Sequence, residues 1–256
     1  MDRSVRKTPP GQFRSNLRVI SSDHCTHHSA CENCSVRHVA MCNALNEEEV
    51  NLLNEISNDF NRDTKQILCA EGDPAEHLYN IRAGTVRLSK MLPDGRRQIT
   101  GFLFPGDFFG LACKDIYSYT AEAVTPVETC RFPRKKITEK FRELPNLGER
   151  VFDMTTTELQ SAHDQMLLLG RKTAREKLCS FLLYMAEKTA ALGGHPENHA
   201  YLPMSRSDVA DYLGLTVETV SRQFTKLAQS GLIRLEGAHH VILLDREAIH
   251  DLAEGE

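Results

Sequence analysis

The sequence predicts an α+β protein built from a β-barrel of jelly-roll type, one long helix that pairs with a second copy of itself, and a C-terminal winged helix-turn-helix. Three observations predict this. Between about residues 60 and 133, short apolar–polar alternations are broken by turn residues roughly every ten positions, the pattern of a β-sandwich or small barrel. Residues 147–170 carry apolar or small side chains at alternating spacings of three and four, which is a helical seam. Residues 205–244 run as capped helix, glycine turn, capped helix and hairpin, the outline of a winged helix-turn-helix.

The chain divides at the points where its periodicity changes. Residues 1–45 are rich in His, Ser and Cys and lack sustained periodicity, so this cysteine-rich head depends on a ligand for order. Residues 46–146 form the second unit. Asn46 is an N-cap, Glu47–Glu49 fill the first turn, and Val50, Leu53 and Ile56 make the apolar stripe of a short helix. Strands His77–Arg82, Thr85–Met91 and Arg97–Phe104 then lie between turns at Gly72-Asp73-Pro74, Ala83-Gly84, Pro93-Asp94-Gly95 and Pro105-Gly106-Asp107.

The third unit, 147–170, sets Phe152, Thr155, Leu159, Ala162, Met166 and Leu169 on one seam. Thr155 and Ala162 make this stripe weak for a monomeric core but suited to a close, reversible helix pair, so the homodimer interface is placed here. The competing expectation is a long helix packed on its own domain. The fourth unit, 171–250, starts with a helix to about 192 and breaks at Gly193-Gly194-His195-Pro196. Ser205 and Asp208 make a capping signal, Gly214 the tight turn, Thr216 the next cap and Gly231 the stop. Leu232–Leu235 and Val241–Leu244 are the hairpin.

Composition narrows the function classes. The 256 residues are 41% hydrophobic and 26% charged, with a net charge of −4, as in ordinary soluble proteins. No run of about 18 apolar residues occurs, so no membrane span is expected. Arg3, Arg6, Lys7, Arg14 and Arg18 precede no apolar core, so no secretory signal is expected either; the expected location is the cytoplasm. There is no P-loop, no G-x-S-x-G and no H-E-x-x-H, which argues against an enzyme. Residues 171–234 carry nine Lys and Arg against six Asp and Glu, a local basic bias suited to phosphate contact.

Two constellations carry chemistry. The first turns of a recognition helix face base edges in the major groove of double-stranded DNA, and here they offer Glu218, Ser221 and Arg222 behind the Thr216 cap. Arg donates bidentately to guanine, Glu accepts from cytosine N4, and Ser serves either role. Glu218 and Arg222 stand four apart, so they address one G·C step or else form a plain surface ion pair. Arg171 and Lys226 are placed for phosphate.

The second constellation is the cysteines. In a reducing compartment, eight of them (25, 31, 34, 42, 69, 113, 130 and 179) point to metal or redox chemistry rather than disulfides. Cys31, Cys34 and Cys42 lie within twelve residues, and three near thiols plus one far one suit an iron–sulfur cluster. Zinc is the rival, because His24, His27, His28 and His38 crowd the same segment. Spacing alone leaves Cys113 and Cys130 both open as the fourth ligand.

The stretch Asp211-Tyr212-Leu213-Gly214-Leu215-Thr216-Val217-Glu218-Thr219-Val220-Ser221-Arg222 closely resembles the recognition motif of the Crp/Fnr family of bacterial transcription regulators, and the Glu-x-x-Ser-Arg form resembles its Fnr branch. The resemblance extends over about residues 25–250. It implies a cyclic-nucleotide-binding-like barrel and a dimer reading a TTGAT-N4-ATCAA palindrome, with Glu218 and Arg222 on the G·C pair and Ser221 near the outer thymine. It also implies an oxygen-responsive [4Fe-4S] cluster on Cys31, Cys34, Cys42 and Cys130, the last chosen because Glu128-Thr129-Cys130-Arg131-Phe132-Pro133 is similar to the family's central-cysteine strand. The trio here is C-x2-C-x7-C, unlike the C-x2-C-x5-C of enteric Fnr but like the alphaproteobacterial FnrL/FnrN variety. Cys25 is expected to be a bystander or a substitute ligand.

Further expectations follow from the resemblance. Gly106-Asp107-Phe108-Phe109-Gly110 lacks the arginine and small hydroxyl of a phosphate cradle, so no cyclic nucleotide is expected. The Pro93-Asp94-Gly95 turn is a possible contact for RNA polymerase, with a plain turn as the alternative. Haem or nitric oxide as effector on the same scaffold is the remaining alternative.

Overall fold

The computed structural model describes Cys31 and residues 34–111, 115–193 and 195–255. Cys25, Cys113, His24, His27 and His28 lie outside the described residues. After a 3-10 turn at Met41–Ala44, helix α1 spans Glu47–Asn54. Its Asn46 side chain accepts from the Glu49 N–H at 2.9 Å, and the Glu49 carboxylate accepts from the Asn46 N–H at 3.0 Å. Two orphan donors of the helix end are satisfied reciprocally.

Strands β1 (Asn58–Arg62), β2 (Ile67–Cys69), β3 (His77–Ala83), β4 (Val86–Met91), β5 (Arg97–Leu103), β6 (Phe108–Phe109), β7 (Thr120–Ala123) and β8 (Val127–Pro133) follow. They form two antiparallel sheets, β1-β8-β3-β6 and β2-β7-β4-β5. The expected jelly roll is present as a pair of sheets rather than a closed barrel. Strands β1 and β6 end one sheet and β2 and β5 the other, and among the described residues no strand ladder joins the two sheets. Side chains hold the sheets together instead: Leu68, Ile81, Val86, Leu88, Leu103 and Val127 fill the interior, and Tyr79 stacks on Phe109 at 4.8 Å.

Helix α2 (Arg134–Glu143) leads into α3 (Pro145–Arg171), a 27-residue helix that starts on a proline, where the missing N–H costs nothing. Only its ends are anchored. Leu147 and Val151 pack against Met41 and Leu45 of the head, and Leu168 joins the core of the C-terminal domain. The Arg150 guanidinium donates to the Val39 carbonyl at 3.0 Å.

The C-terminal domain comprises α4 (Ala174–Ala191), β9 (His199–Tyr201), α5 (Arg206–Leu213), α6 (Val217–Gln229), β10 (Ile233–Glu236), β11 (His240–Leu243) and α7 (Arg246–Glu254). Strand β9 pairs with β11, so the expected hairpin is two strands of a three-stranded wing sheet. The domain core continues into the outer face of β5 through Ile99 and Phe102, and Phe102, Phe181 and Tyr212 form a triangle of rings with centroids 5.4–6.4 Å apart. Asp208 fixes this junction. It is 4% exposed, completes the Ser205 capping box, and accepts from Arg87 at 2.6 Å and Arg97 at 2.8 Å. Arg97 also binds Asp211 at 2.6 Å, and Arg87 binds Glu122 at 2.7 Å.

Candidate nucleic-acid interface and metal centre

Helix α5 ends on Gly214 at φ +62°, a left-handed position that suits glycine. A Cβ there would come within 3.2 Å of Leu169 Cδ2. The turn is braced from below, because the Leu213 carbonyl accepts from buried Lys177 at 3.1 Å and the Tyr212 carbonyl from Gln165 at 2.9 Å. Thr216 then caps α6 by accepting from the Thr219 N–H at 3.2 Å.

Helix α6 is strongly two-faced. Val220, Phe224 and Leu227 are buried, and Glu218, Ser221 and Arg222 stand exposed on the other side. Arg222 donates to the Thr219 hydroxyl at 3.3 Å rather than gripping Glu218. Backbone N–H donation at the helix start, with smaller contributions from Thr216 and Arg222, holds the Glu218 carboxyl below its usual range, so it is an acceptor at neutral pH. The exposed carboxylate, which no ion pair among the described residues ties down, and the lightly held guanidinium are the groups that base reading requires. Arg171 and Lys226 are exposed as well. The basic bias of this region is weaker at the surface than counting suggests. Lys177 is buried, Lys172 is tied to Ser180 and Glu254, and the Arg206 guanidinium lies 3.3 Å from the centre of the Phe224 ring.

The long helix presents the expected stripe for most of its length. Phe152 is 72% exposed, Leu159 57% and Met166 67%, with Thr155 and Ala162 exposed between them. Leu169 departs from the stripe. It is partly buried against the C-terminal core, beside Gly214, because the helix turns its last turn onto the helix-turn-helix.

Four free thiols gather where the head meets the first sheet. Cys31, Cys42 and Cys130 pack against the same apolar cluster as Met41, Leu78 and Phe132. Cys34 joins them through its backbone N–H, which donates to the Cys31 carbonyl at 3.4 Å. Burial, then the neighbouring sulfurs, pushes the Cys42 thiol up to about 11; burial pushes Cys130 up to about 12. Crowded thiols of this kind ionise once a cation neutralises them. Cys31 donates to Asn54 Oδ1 at 3.4 Å. Among the described residues, no three His, Cys, Asp or Glu side chains close on one point as a single-ion site demands; around one zinc, with bonds of about 2.3 Å, thiolates stand about 3.8 Å apart. Cys69 and Cys179 are buried in the roll and in the C-terminal core, where they act as small apolar side chains.

In the Gly106–Leu111 loop, Asp107 accepts from the Phe104 N–H at 2.9 Å and pairs with Lys188 at 3.4 Å, while Phe109 fills the roll interior. Gly106, at φ +96°, lies under the head, where a Cβ would stand 2.5 Å from Val39 Cγ2.

Among the described residues, no helix is long and apolar enough to cross a membrane. Residues 61–143 match the cyclic nucleotide-binding domain family and residues 176–252 the Crp-like helix-turn-helix domain family. The chain is 40% identical over 218 residues to the transcriptional activator protein FnrL of Cereibacter sphaeroides, covering 84% of this chain and 88% of that one. It is 39% identical over 223 residues to the nitrogen fixation regulation protein FixK of Bradyrhizobium diazoefficiens, covering 87% and 93%. The solved structure of FixK2 from Bradyrhizobium japonicum superimposes with a TM-score of 0.71 at 37% identity, covering 77% of this chain and 97% of that one. An exposed, capped recognition helix, a jelly-roll-like domain beneath it and relatives that are regulators rather than enzymes lead to one conclusion: this chain is a DNA-binding transcription activator of the Crp/Fnr family.

Proposed function

We propose that the protein is a cytoplasmic, oxygen-responsive activator that binds a TTGAT-N4-ATCAA-type palindrome as a homodimer when Cys31, Cys34, Cys42 and Cys130 hold a [4Fe-4S] cluster. The observation that carries this reading is the convergence of the head thiols on Cys130 of β8: Cys31, Cys42 and Cys130 pack on one apolar cluster, Cys34 is tied to Cys31 through the backbone, and all four are free. Four thiolates are a donor set that suits an iron–sulfur group, and the buried Arg82 Nε without an acceptor on the same side of the sheet suits a negatively charged one. When bound, the cluster supplies the oxygen-labile chemistry.

The chain's own residues carry the signal onward. Cys42 lies within the turn whose Met41 packs on Leu147 and Val151 of α3, and Arg150 holds Val39. Ordering the head therefore sets the start of the long helix. The exposed Phe152–Met166 stripe is where a second copy pairs, and pairing brings two copies of α6 to adjacent half-sites. A ligand acts this way only by binding the paired state more tightly than the separated one. His163 and Asp164 are exposed beside the stripe; with little acidic charge there, repulsion between paired chains is weak, so a larger residual dimer fraction is expected in the apo-protein, which sedimentation measures. Asp107 and Phe109 have structural partners, so the roll serves as scaffold and takes no cyclic nucleotide. The Pro93-Asp94-Gly95 turn is offered to RNA polymerase.

Iron and acid-labile sulfide analysis of anaerobically purified protein tests the reading. The expected result is a near-stoichiometric cluster in the wild type that is lost in each of the Cys31, Cys34, Cys42 and Cys130 to Ser variants and retained in Cys69→Ser and Cys179→Ser. Zinc in place of iron and sulfide overturns the oxygen-sensing part. Retention in Cys130→Ser with loss in Cys113→Ser overturns the ligand assignment.

A further inference from the structure

The face of the sheet that presents Cys130 also holds two buried polar atoms without partners. Cys130 stands between Asp59 of β1 and Asn80 of β3 in the strand register. Leu78 and Phe132 belong to the core beneath the head, while Tyr79 and Ile81 point into the roll. Alternation along a strand therefore puts Asn80 on the Cys130 face. Asn80 is 5% exposed, its Nδ2 reaches only the Ile81 carbonyl at 3.4 Å, and its Oδ1 accepts nothing.

Arg82 follows at a register shift between Ile81 and Ala83, a place where a bulge re-aims a side chain. Its Nη2 pairs with Asp59 at 3.2 Å and Glu128 at 3.7 Å, and its Nε is buried with no acceptor. Its partner Asp59 stands across from Cys130 in the strand register, which places the guanidinium on that side of the sheet, and its charge bears on Cys31 and Cys130 alike. Buried polar groups nearly always find partners. Two unmet groups at one site mark the place of a partner from outside the chain.

We propose that Asn80 and Arg82 form the polar shell of the cysteine-held group, with Arg82 donating Nε–H and positive charge to its sulfur atoms, and that Arg82 sets how long the group survives oxygen. The inference rests on the cluster reading above. Hydrogen bonds to sulfur and local charge are among the levers that set the potential of such groups, and loss of an outer partner costs about 10–100-fold in retention. Asn80 acts as a positioning residue: it stands directly across from Cys130 in the strand register, on the same face of the sheet.

The experiment uses full-length protein reconstituted anaerobically with ferrous iron and sulfide. It follows the decay of the visible absorbance in air-saturated buffer, and resonance Raman reports the iron–thiolate stretches. In Arg82→Met the decay accelerates about tenfold and the stretches shift; Asn80→Leu shows a smaller change in the same direction; Arg82→Lys, which keeps the charge and loses Nε–H, falls between Met and wild type. Asp59→Asn separates this role from a strut in the sheet. Freeing Arg82 of its counter-charge slows decay if Arg82 serves the sulfurs, and speeds it if the Asp59–Arg82 pair only holds the strands. Faster decay in Asp59→Asn, or wild-type decay and Raman bands in Arg82→Met, overturns the inference. Complete loss of iron from an Arg82→Met chain with native circular dichroism is the same supporting result in extreme form. If Arg82→Met does not fold, the Lys and Asp59→Asn variants decide. Failure of the wild type to hold iron and sulfide overturns the cluster reading instead.

Discussion

Two helices of this molecule expose one face each, and the faces are opposites. Helix α6 buries Val220, Phe224 and Leu227 and shows solvent Glu218, Ser221 and Arg222. Helix α3 is twice as long, buries only Leu147, Val151 and Leu168, and shows solvent Phe152, Leu159, Met166 and Leu167. A polar face with one unpaired acid and one lightly held base is stable in water and ready for a polar partner. A continuous apolar stripe is costly in water, and such patches mark protein contacts. The chain asks for DNA at one helix and for protein at the other.

The largest expected effects come from the junction between the C-terminal domain and the roll. In Asp208→Ala, Arg87 keeps Glu122 and Arg97 keeps Asp211, but the buried centre of the network is gone. Removing one partner of a buried ion pair costs about 3–5 kcal/mol. Thermal or denaturant unfolding should show that loss, with dimerisation through α3 much less affected; equal loss of dimerisation would show that the two helices are not separable. Next is Leu159→Glu, which places a charge at the middle of the stripe. The expected outcome is a monomer by sedimentation and about a hundredfold weaker binding to the palindrome, roughly 2.8 kcal/mol. An unchanged dimer would mean that the stripe covers something else.

Arg222→Ala should cost about 1–3 kcal/mol at each half-site and flatten the preference at its G·C step, read by anisotropy on matched and substituted duplexes. Lys226→Ala should instead weaken all sequences alike and lower the salt slope by about one unit. Glu218→Ala should be subtler. It should raise affinity for scrambled DNA and lower it for the specific site, so the ratio narrows. Equal gains on both would show that Glu218 is only a surface charge.

The smallest effect concerns the wing that supports α6. His199 is buried on β9, its Nε2 lies 3.0 Å from His240 Nδ1, and the His195 ring stacks 4.3 Å away. Burial, then the charges of His195 and His240, holds its pKa below the ordinary 6.5. The unfolded chain therefore takes up the proton more readily. This contribution to stability is fully present above 6.5 and is lost as pH falls through the lowered value. Melting temperature against pH should fall on the acid side more steeply for the wild type than for His199→Asn; parallel curves would remove His199 from the account.

Local chemistry in the sequence identified much of this architecture. The Asn46, Ser205 and Thr216 caps, the Gly214 turn and the 3-4 spacing of the long helix are all short-range signals, and the structure contains each of them. The failures are long-range or too short to have a period. Strands β2, β6 and β7 have two to four residues, and α7 and β9 went unmarked. The contact of Leu169, the last seam position, with the Gly214 turn is another feature that spacing does not reveal. Asp208 read as a cap. Its arginines stand 121 and 111 residues away, beyond any local pattern. Of the nine basic residues counted toward DNA, Lys172, Lys177, Lys188, Arg206 and Arg234 have partners within the chain. The four cysteines could be grouped from spacing and resemblance, but the unmet atoms of Asn80 and Arg82 around them could not.

The ion network at Asp208 also bears on how such regulators can be recombined. The two halves of the chain look like exchangeable modules joined at the end of α3, and a graft there would seem to change only which DNA is read. Yet one carboxylate serves as helix cap in the second module and as counter-ion to two arginines of the first. A hybrid taking residues 172–255 from this chain would carry that carboxylate away from both of its charges. Transplantation therefore requires Arg87 and Arg97 to travel with the reading head, and the smallest portable unit is larger than the domain that touches DNA.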